Sequence, residues 1–556
     1  MNRLDVLQQL VNVHHVDVNV GRDLAHTLNC EEAQIDDSDG EHFLLAQHAA
    51  SFSDALTMKF LLSLPSLDLS CQRYVAKPLL HAAVQYGNLE VVEELLERQN
   101  VDINELDSRG RTCLHIALSN YDFNYMDILT FLLAHCVDAS KATAGDVVDV
   151  NAATDEGLTS LHFAAYSNNR EAIKELLLHP NINVTAMATE GLTALHVATM
   201  LGHIDIVRLL MTRMDINMGS TSGLTCLHLA SQHNHVHIMA ELLKHPDIEV
   251  NAAASFVSEL TSLHTAAQSG HLEAVKELLR HPCINASATA FGGMTSLHLA
   301  AENGHASVVR ALLPFVDVNA KAVYDTTCLH IASLHGQVNV ISELFKSPDL
   351  DVNAKTEHLT SLHIAAQHGN ACAVAALLRH PNIAVNAVDA EELTALHLAA
   401  KTGHRHPVGE LLKHPALDVN AAPPDGRTAL IIASSQGRTA VVAALLKHKG
   451  INPNATSHAN GRTSLHHATC RGHLMILTEL LKHPATDVNA IASDGTTCLH
   501  VAARRGHTTT VMALLSHPRV NLSANMKAEG LTSAELAAEH GHKDVWKILT
   551  NAALCQ

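Results

Sequence analysis

The sequence repeats a pattern with a period near 33 residues, from residue 81 to the end of the chain. One unit, Thr193 to Leu210, reads TALHVATMLGHIDIVRLL. Leu195 and Ala198 open one apolar helical face, Gly202 interrupts it, and Val207 belongs to a second face at helical spacing. Neither short helix could bury its apolar side alone, but stacked pairs would cover each other. The period therefore predicts a stack of helix pairs and argues against several separate globular domains.

A histidine marks the phase of this period. Successive marker positions lie 32 to 36 residues apart, except for one gap of 47, and are His81, His115, His162, His196, His228, His264, His298, His330, His363, His397, Ile431, His466, His500 and Glu535. With T-x-L-H-x-A, a Gly turn and a Leu-Leu pair, the pattern resembles the ankyrin repeat. Ser, Ala or Cys replaces the Pro of the usual T-P-L-H motif, and Pro suits that first helical turn without being required there. The resemblance implies an all-α ankyrin-repeat solenoid of about fifteen repeats with short β-hairpin projections.

The departures from the period suggest the domain organisation. Residues 1–41 are expected to form a degenerate N-terminal cap and an acidic irregular segment, and residues 42–76 a divergent ankyrin repeat. The ankyrin repeats would occupy residues 77–530, and residues 531–556 would form a C-terminal capping repeat. An insertion at 137–148 has the composition of a surface loop, and it is either functional or merely tolerated.

Charge and cysteine usage restrict the classes of partner. The chain carries 37 Lys and Arg against 56 Asp and Glu, a net charge of −19, whereas nucleic acid and anionic membranes favour basic surfaces. No apolar run approaches the roughly 18 residues of a membrane-spanning helix, and the start lacks a signal-peptide core. Four of the 11 cysteines share one repeat position and are expected to be small core residues: Cys113, Cys226, Cys328 and Cys498. We therefore expect a cytoplasmic chain with reduced thiols, without nucleic-acid binding or membrane insertion.

The 43 histidines raise the question of metal binding or catalysis. Most of them recur at fixed repeat positions, which favours a structural role. The exceptions are His233, His235, His237, His404 and His406, and zinc needs three or four convergent ligands. No phosphate loop, H-E-x-x-H, G-x-S-x-G or kinase motif is present. We predict no catalytic residues, no metal site and no cofactor.

Aromatic residues are scarce, at 3% of the chain, so their placement is informative. Phe256, Phe291 and Tyr324 fall at three consecutive predicted hairpin tips, 35 and 33 residues apart, and are expected to align in a row. Exposed aromatic side chains are frequent anchors in protein interfaces. Alternatively, each ring folds back on its own hairpin. Trp546, the only tryptophan, is expected to pack on the inner face of the last repeat.

The family resemblance implies a non-enzymatic protein-interaction scaffold. It would act as a monomer, binding partner proteins through hairpin tips and the concave face of the array. The alternative is an adaptor, or a secreted effector of an intracellular microbe, that recruits a target to a separate enzyme. A weaker third interpretation is a metal- or pH-responsive binder that works through its histidines.

The resemblance also implies a modification. In animals, ankyrin repeats with Leu eight residues before the Asn of a D-V-N-A segment are substrates of asparaginyl hydroxylases. Leu412 before Asn420 and Leu481 before Asn489 match this pattern, so both asparagines are candidate sites.

Overall fold

The structure is a computed structural model that describes residues 79–97, 101–119, 125–134, 148–254, 259–522 and 530–555, together with residues 56, 59, 60 and 63. These residues form fourteen pairs of α-helices, and the first helix of each pair carries the marker position. The first helices are α1 (Leu79–Gln85), α3 (Cys113–Ser119), α5 (Ser160–Tyr166), α7 (Ala194–Leu201), α9 (Cys226–Gln232), α11 (Ser262–Ser269), α13 (Ser296–Glu302), α15 (Cys328–Leu334), α17 (Ser361–Gln367), α19 (Ala395–Thr402), α21 (Ala429–Ser435), α23 (Ser464–Arg471), α25 (Cys498–Arg505) and α27 (Ser533–Glu539). The second helices are α2 (Leu89–Leu96), α4 (Tyr125–Ala134), α6 (Arg170–Leu178), α8 (Ile204–Leu210), α10 (Val236–Leu242), α12 (Leu272–Leu279), α14 (Ala306–Leu312), α16 (Val338–Leu344), α18 (Ala371–Leu377), α20 (Arg405–Leu411), α22 (Thr439–Leu445), α24 (Leu474–Lys482), α26 (Thr508–Leu515) and α28 (Lys543–Cys555).

Local sequence sets where the first helices begin and end. Thr193 is the N-cap of α7, and its side chain accepts a hydrogen bond from the His196 backbone N–H at 3.5 Å. In return, His196 Nδ1 accepts one from the Thr193 backbone N–H at 3.1 Å, which completes a capping box. Gly202 ends the helix with a φ of 83°, in the left-handed region where glycine carries no Cβ penalty.

The core lies between the helices of neighbouring repeats. In the repeat of α7 and α8, Ala198, Ile206 and Val207 are 0% exposed, so the two predicted apolar faces are the buried ones. The small alanine side chains allow the thin helix pairs to pack closely. The four cysteines of the shared repeat position are likewise buried, at 0–1% exposure, as predicted.

The chain divides into two compact units. One comprises the described residues within 1–266 and 276–284, and the other those within 267–275 and 285–556. In the first unit, α1, α3, α5, α7 and α9 pack in sequence order, as do α2, α4, α6, α8 and α10. In the second unit, the odd-numbered helices from α13 to α27 form one layer and the even-numbered helices from α14 to α28 another. Each unit is thus an all-α stack of the predicted kind.

Short hairpins connect successive repeats. The best formed pairs β1 (Thr289–Ala290) with β2 (Met294–Thr295) in an antiparallel register that places Thr289 opposite Thr295. Other hairpins are reduced to single bridges, as between Ala153 and Thr159. This confirms the predicted short β-hairpin projections.

The structure does not bear on every predicted segment. Residues 1–41, nearly all of 42–76 and residues 137–147 lie outside the described residues. The prediction for Trp546 is wrong, because its side chain is 42% exposed. Val545 and Leu549, 1% and 2% exposed, form the buried face of α28 instead, and Trp546 lies one residue away from that face.

Candidate partner-binding surface

The tips of the hairpins are tight turns with unusual backbone angles. In the second unit, Gly292 and Gly293 have φ values of 75° and 72°, and Tyr324 and Asp325 have 59° and 57°. Two consecutive positive φ values are the signature of a type I′ turn, which matches the twist of a hairpin. Asp325 also forms a 3.4 Å ion pair with Lys321, so charged groups flank this tip.

Two of the three predicted aromatic anchors project from these turns. Phe291 is 76% exposed and Tyr324 is 70% exposed. Within the described residues, neither ring makes a hydrogen bond or an aromatic contact. The rings therefore do not fold back on their own hairpins. Phe256 lies outside the described residues.

The two rings are offset by one place in the turn. Ala290 and Ala322 precede equivalent turns, so the structural counterpart of Phe291 is Val323. The repeats here are 32 residues long, whereas the two rings are separated by 33, which produces the offset. Val323 is 51% exposed, and a Cβ atom placed on Gly292 would lie 3.5 Å from its Cγ2 atom. Phe291, Val323 and Tyr324 are thus exposed apolar side chains on two adjacent tips, together called the tip patch.

Sequence reasoning missed Val323, although the Thr295-to-Thr327 spacing could have identified it as the equivalent of Phe291. Tyr324 occupies the turn place that Gly292 holds in the preceding repeat. A left-handed conformation costs a non-glycine residue about 1–2 kcal/mol. A bulky aromatic side chain at this place is therefore not explained by the needs of the turn.

The histidines at the marker positions are structural. His397 is typical: its Nδ1 atom accepts the Thr394 backbone N–H at 3.1 Å, and its Nε2–H donates to the Ala421 carbonyl in the next hairpin at 2.9 Å. A ring with one accepting and one donating nitrogen is neutral. Burial, the main cause, lowers the pKa of His115, His330 and His466 to about 4.

The other two recurrent histidine positions also have fixed partners. His235 and His404 were predicted to stand outside the repeat positions, and this is wrong, because each lies seven residues after its marker histidine. His235 Nε2–H donates to the Met200 carbonyl of the preceding repeat at 3.0 Å. His245 Nδ1, after the Leu-Leu pair, accepts the Asp247 backbone N–H at 3.3 Å. Over the described part of the chain, no group of three or more His, Cys, Asp or Glu residues is arranged to hold a metal ion.

Both candidate modification sites hold the next repeat through their carboxamides. Asn420 Nδ2 donates to the Gly450 carbonyl at 2.7 Å, and its Oδ1 accepts the Asn452 backbone N–H at 2.8 Å. Asn489 makes the same two bonds, at 2.6 Å to the Arg519 carbonyl and at 2.8 Å from the Asn521 N–H. Each carboxamide is therefore engaged at both ends.

None of the helices in the described ranges is long and apolar enough to cross a membrane. Among curated proteins, the ankyrin repeat domain-containing protein SAT10 of Stachybotrys chartarum is 31% identical over 113 residues, which is 18% of this chain and 6% of that protein. Rabankyrin-5 of Mus musculus is 26% identical over 150 residues, or 26% of this chain and 12% of that protein. The chain thus matches only a small part of either relative.

The ankyrin repeat domain of Bcl-3, described as a unique member of the IkappaB protein family, is a similar solved structure. It is 28% identical with a TM-score of 0.37, and the match covers 40% of this chain and 98% of that domain. A family model described as three copies of the ankyrin repeat matches overlapping segments, at residues 45–146, 80–188, 136–220, 161–254, 212–288, 263–356, 329–423, 362–457, 408–492 and 465–555. Since these segments run without a gap from residue 45 to residue 555, the chain belongs to the ankyrin-repeat family.

Proposed function

We propose that this chain is a non-enzymatic scaffold that binds a partner protein through its hairpin tips, with Phe291 and Tyr324 as anchors. Ankyrin repeats are generally modules for protein–protein interaction. The observation that carries the proposal is the tip patch, in which two rings are 76% and 70% exposed in a chain with only 3% aromatic residues. Phe256 is proposed as a third anchor on its tip position in the sequence.

The physical case rests on the low cost of ordering an aromatic anchor. Phe and Tyr side chains have two χ angles and bury a large area, so they gain contact free energy with little loss of entropy. The Lys321–Asp325 ion pair would lie at the rim, where polar groups surround an apolar centre in typical interfaces.

The test uses the full chain and a partner identified by affinity purification with mass spectrometry. Phe291→Ala and Tyr324→Ala should each weaken binding by about 2 kcal/mol, roughly thirtyfold in Kd, while the melting temperature stays unchanged. Phe315→Ala is the matched control, since Phe315 is 52% exposed but lies in the turn after the second helix α14, away from the hairpin tips. Unchanged affinity of the Phe291/Tyr324 double variant for every purified partner would reject the tip patch.

Tyr324→Gly separates binding from folding more sharply. Glycine accepts the 59° φ of Tyr324 without strain, so the variant should be at least as stable as the natural chain. Partner affinity should nevertheless fall as it does for Tyr324→Ala. A lower melting temperature for Tyr324→Gly would show that the ring serves the hairpin.

We further propose that the chain acts as a monomer in the cytoplasm and does not bind nucleic acid, consistent with its net charge of −19. An adaptor, or a secreted effector of an intracellular microbe, would use the same tip patch. Such a role requires an enzyme that copurifies with the chain and its partner and is lost with the Phe291/Tyr324 double variant. A partner that copurifies without an enzyme favours the simple scaffold.

Hydroxylation of Asn420 and Asn489 is a separate proposal. Because both carboxamides bind the next repeat, an enzyme would gain access only when that segment opens. The chain should therefore be modified more completely in mild urea than in buffer. Intact-mass and peptide analysis after treatment with a purified asparaginyl hydroxylase should show one added oxygen atom at these positions. Its absence under both conditions would dismiss the proposal.

A further inference from the structure

Two consecutive repeats reverse the charge of the chain. Residues 394–462 contain eight Lys and Arg against three Asp and Glu, a net charge of 8 − 3 = +5 in a chain of −19. The preceding residues 295–393 contain five Lys and Arg against ten Asp and Glu, a net charge of −5. The basic segment is therefore a local feature with an abrupt boundary.

The second helices of these repeats, α20 and α22, enclose a groove of about 590 Å³. Its lining includes Gly409, Ala440, Ala443 and Ala444, whose small side chains leave the space between the helices open. A Cβ atom added to Gly409 would meet no other atom within 4 Å. The floor of the groove is thus apolar and formed by small side chains.

Basic side chains surround this floor. Arg405, His406, Lys413 and Lys447 line the groove together with a single acid, Glu410. Lys413 Nζ lies 2.7 Å from Glu410 Oε1 and is neutralised by it. Arg405 and Lys447 are exposed and have no acidic partner within the described part of the chain.

Other repeats show that Lys447 lacks its usual partner. The lysine after the Leu-Leu pair bonds a glutamate three residues earlier, at 3.1 Å for Lys244 and Glu241 and at 2.7 Å for Lys482 and Glu479. At Lys447 that glutamate is replaced by Ala444. Ala444 in place of glutamate therefore leaves Lys447 without a neutralising carboxylate, and its smaller side chain also leaves more space in the groove.

We propose that this groove, the basic groove, binds an acidic segment of a partner protein, with carboxylates at Arg405 and Lys447 and apolar side chains on the alanine floor. Arg405 begins α20, whereas Lys447 lies two residues beyond the end of α22, so the two cations stand at opposite ends of the groove. With about 8–10 Å between helices and about 12 Å along them, their separation is on the order of 15 Å. Carboxylates three turns apart on a helix are separated by about 16 Å, so an acidic helix fits the spacing. A nucleic acid is disfavoured, because the alanine floor offers its phosphates no donors. The groove lies on second helices, whereas the tip patch precedes first helices, so neither proposal depends on the other.

The test measures the fluorescence anisotropy of a labelled synthetic peptide of repeated Glu-Ala-Ala-Ala-Glu-Ala-Ala as the full chain is added. A peptide with Gln in place of each Glu is titrated in the same way. The Glu peptide should bind at least about tenfold more tightly than the Gln peptide, and less tightly as salt is raised. Arg405→Glu combined with Lys447→Glu should weaken Glu-peptide binding by at least about tenfold, because attraction becomes repulsion. Lys244→Glu, at the equivalent helix position but already paired, should change it less than about twofold.

Gly409→Leu tests the groove without changing any charge, and it should weaken the Glu peptide by obstructing the floor. Thermal melts followed by circular dichroism establish that the Arg405→Glu/Lys447→Glu double variant and the Gly409→Leu variant remain folded. Carbodiimide coupling of the bound peptide, mapped by mass spectrometry, should join it to Lys413 and Lys447. Equal binding of the two peptides, equal weakening by Lys244→Glu, or coupling spread over other exposed lysines would overturn the proposal. Tighter binding of a single-stranded oligonucleotide that displaces the Glu peptide would also overturn it, by assigning the groove to nucleic acid.

Discussion

At the scale of single residues, the marker histidine links one repeat to the next. His397 is 1% exposed, and its two ring nitrogens satisfy a backbone N–H of its own repeat and a carbonyl of the following hairpin. Ile431 is the exception that shows how the chain manages without this link. There the Thr428 backbone N–H donates to the Gly426 carbonyl at 3.1 Å instead.

His397→Leu should therefore weaken the contact between its repeat and the following hairpin. Each buried backbone group left without a partner costs about 1–3 kcal/mol, although rerouting of the Thr394 N–H would reduce the loss. Hydrogen exchange should accelerate around residues 394–421. Ile431→Leu, an apolar exchange at the same position, should leave exchange nearly unchanged. Equal protection in the two variants would contradict the proposed link.

Glycines after the first helices make a second contact between repeats. Gly506 has a φ of 70°, and a Cβ atom there would lie 2.5 Å from Nδ1 of His542. His542 Nε2–H donates to the Arg504 carbonyl at 3.0 Å, so the ring cannot move without losing this bond. The Gly-His dipeptide that contains His542 indicates a turn from sequence alone. That its histidine donates to a carbonyl of the preceding repeat is not visible in any local pattern.

Gly506→Ala should destabilise the C-terminal repeats by about 1–3 kcal/mol through backbone strain and the displaced histidine. Gly409→Ala is the matched control, because Gly409 is helical and has open space around its Cβ position. That change should be neutral or stabilising by up to about 1 kcal/mol. Urea denaturation followed by hydrogen exchange measures both. A tolerated Gly506→Ala would show that His542 can be displaced at little cost.

At the scale of elements, the helices were predictable and the hairpin surface only partly so. Thr at the start and Gly at the end of a first helix act locally, as in Thr193 and Gly202, so sequence alone locates those boundaries. The one-place offset between Phe291 and Tyr324 depends on the length of a single repeat and on the turn it closes. The groove between α20 and α22 likewise depends on small residues from two repeats that sequence analysis treats separately.

Asparagines of the V-N-A segments that close the repeats join these elements in a ladder. Asn386 Nδ2 donates to the Ala416 carbonyl at 2.7 Å, and its Oδ1 accepts the Asp418 backbone N–H at 2.9 Å. Asn386→Ala should cost about 1–2 kcal/mol locally, because both bonds are lost. Asn386→Asp keeps the acceptor and should cost less. Hydrogen exchange of the Asp418 amide distinguishes them, and identical exchange in the two variants would show that the Oδ1 bond contributes nothing.

At the scale of the whole molecule, the repeated interfaces make stability a sum of similar local terms. Repeat arrays need not unfold in one transition, so the stability change caused by a substitution should be measured for the repeats around it. The marker histidines are a titrating feature that occurs in both units. Burial lowers the pKa of His115 in the first unit and of His330 and His466 in the second to about 4.

Acid should therefore destabilise both units before the carboxylates titrate. The unfolded histidines have a pKa near 6.5 and bind protons that the folded ones exclude, so stability falls as pH drops from about 6.5 towards 4. One pKa unit corresponds to about 1.4 kcal/mol per histidine. Melting temperatures should thus decline already between pH 6.5 and 5, above the unfolded pKa values of Asp and Glu. His330→Leu should start from a lower melting temperature and decline less steeply in this interval, because one proton-excluding ring is gone. Melting temperatures that stay flat down to pH 5 would contradict neutral buried histidines as the cause.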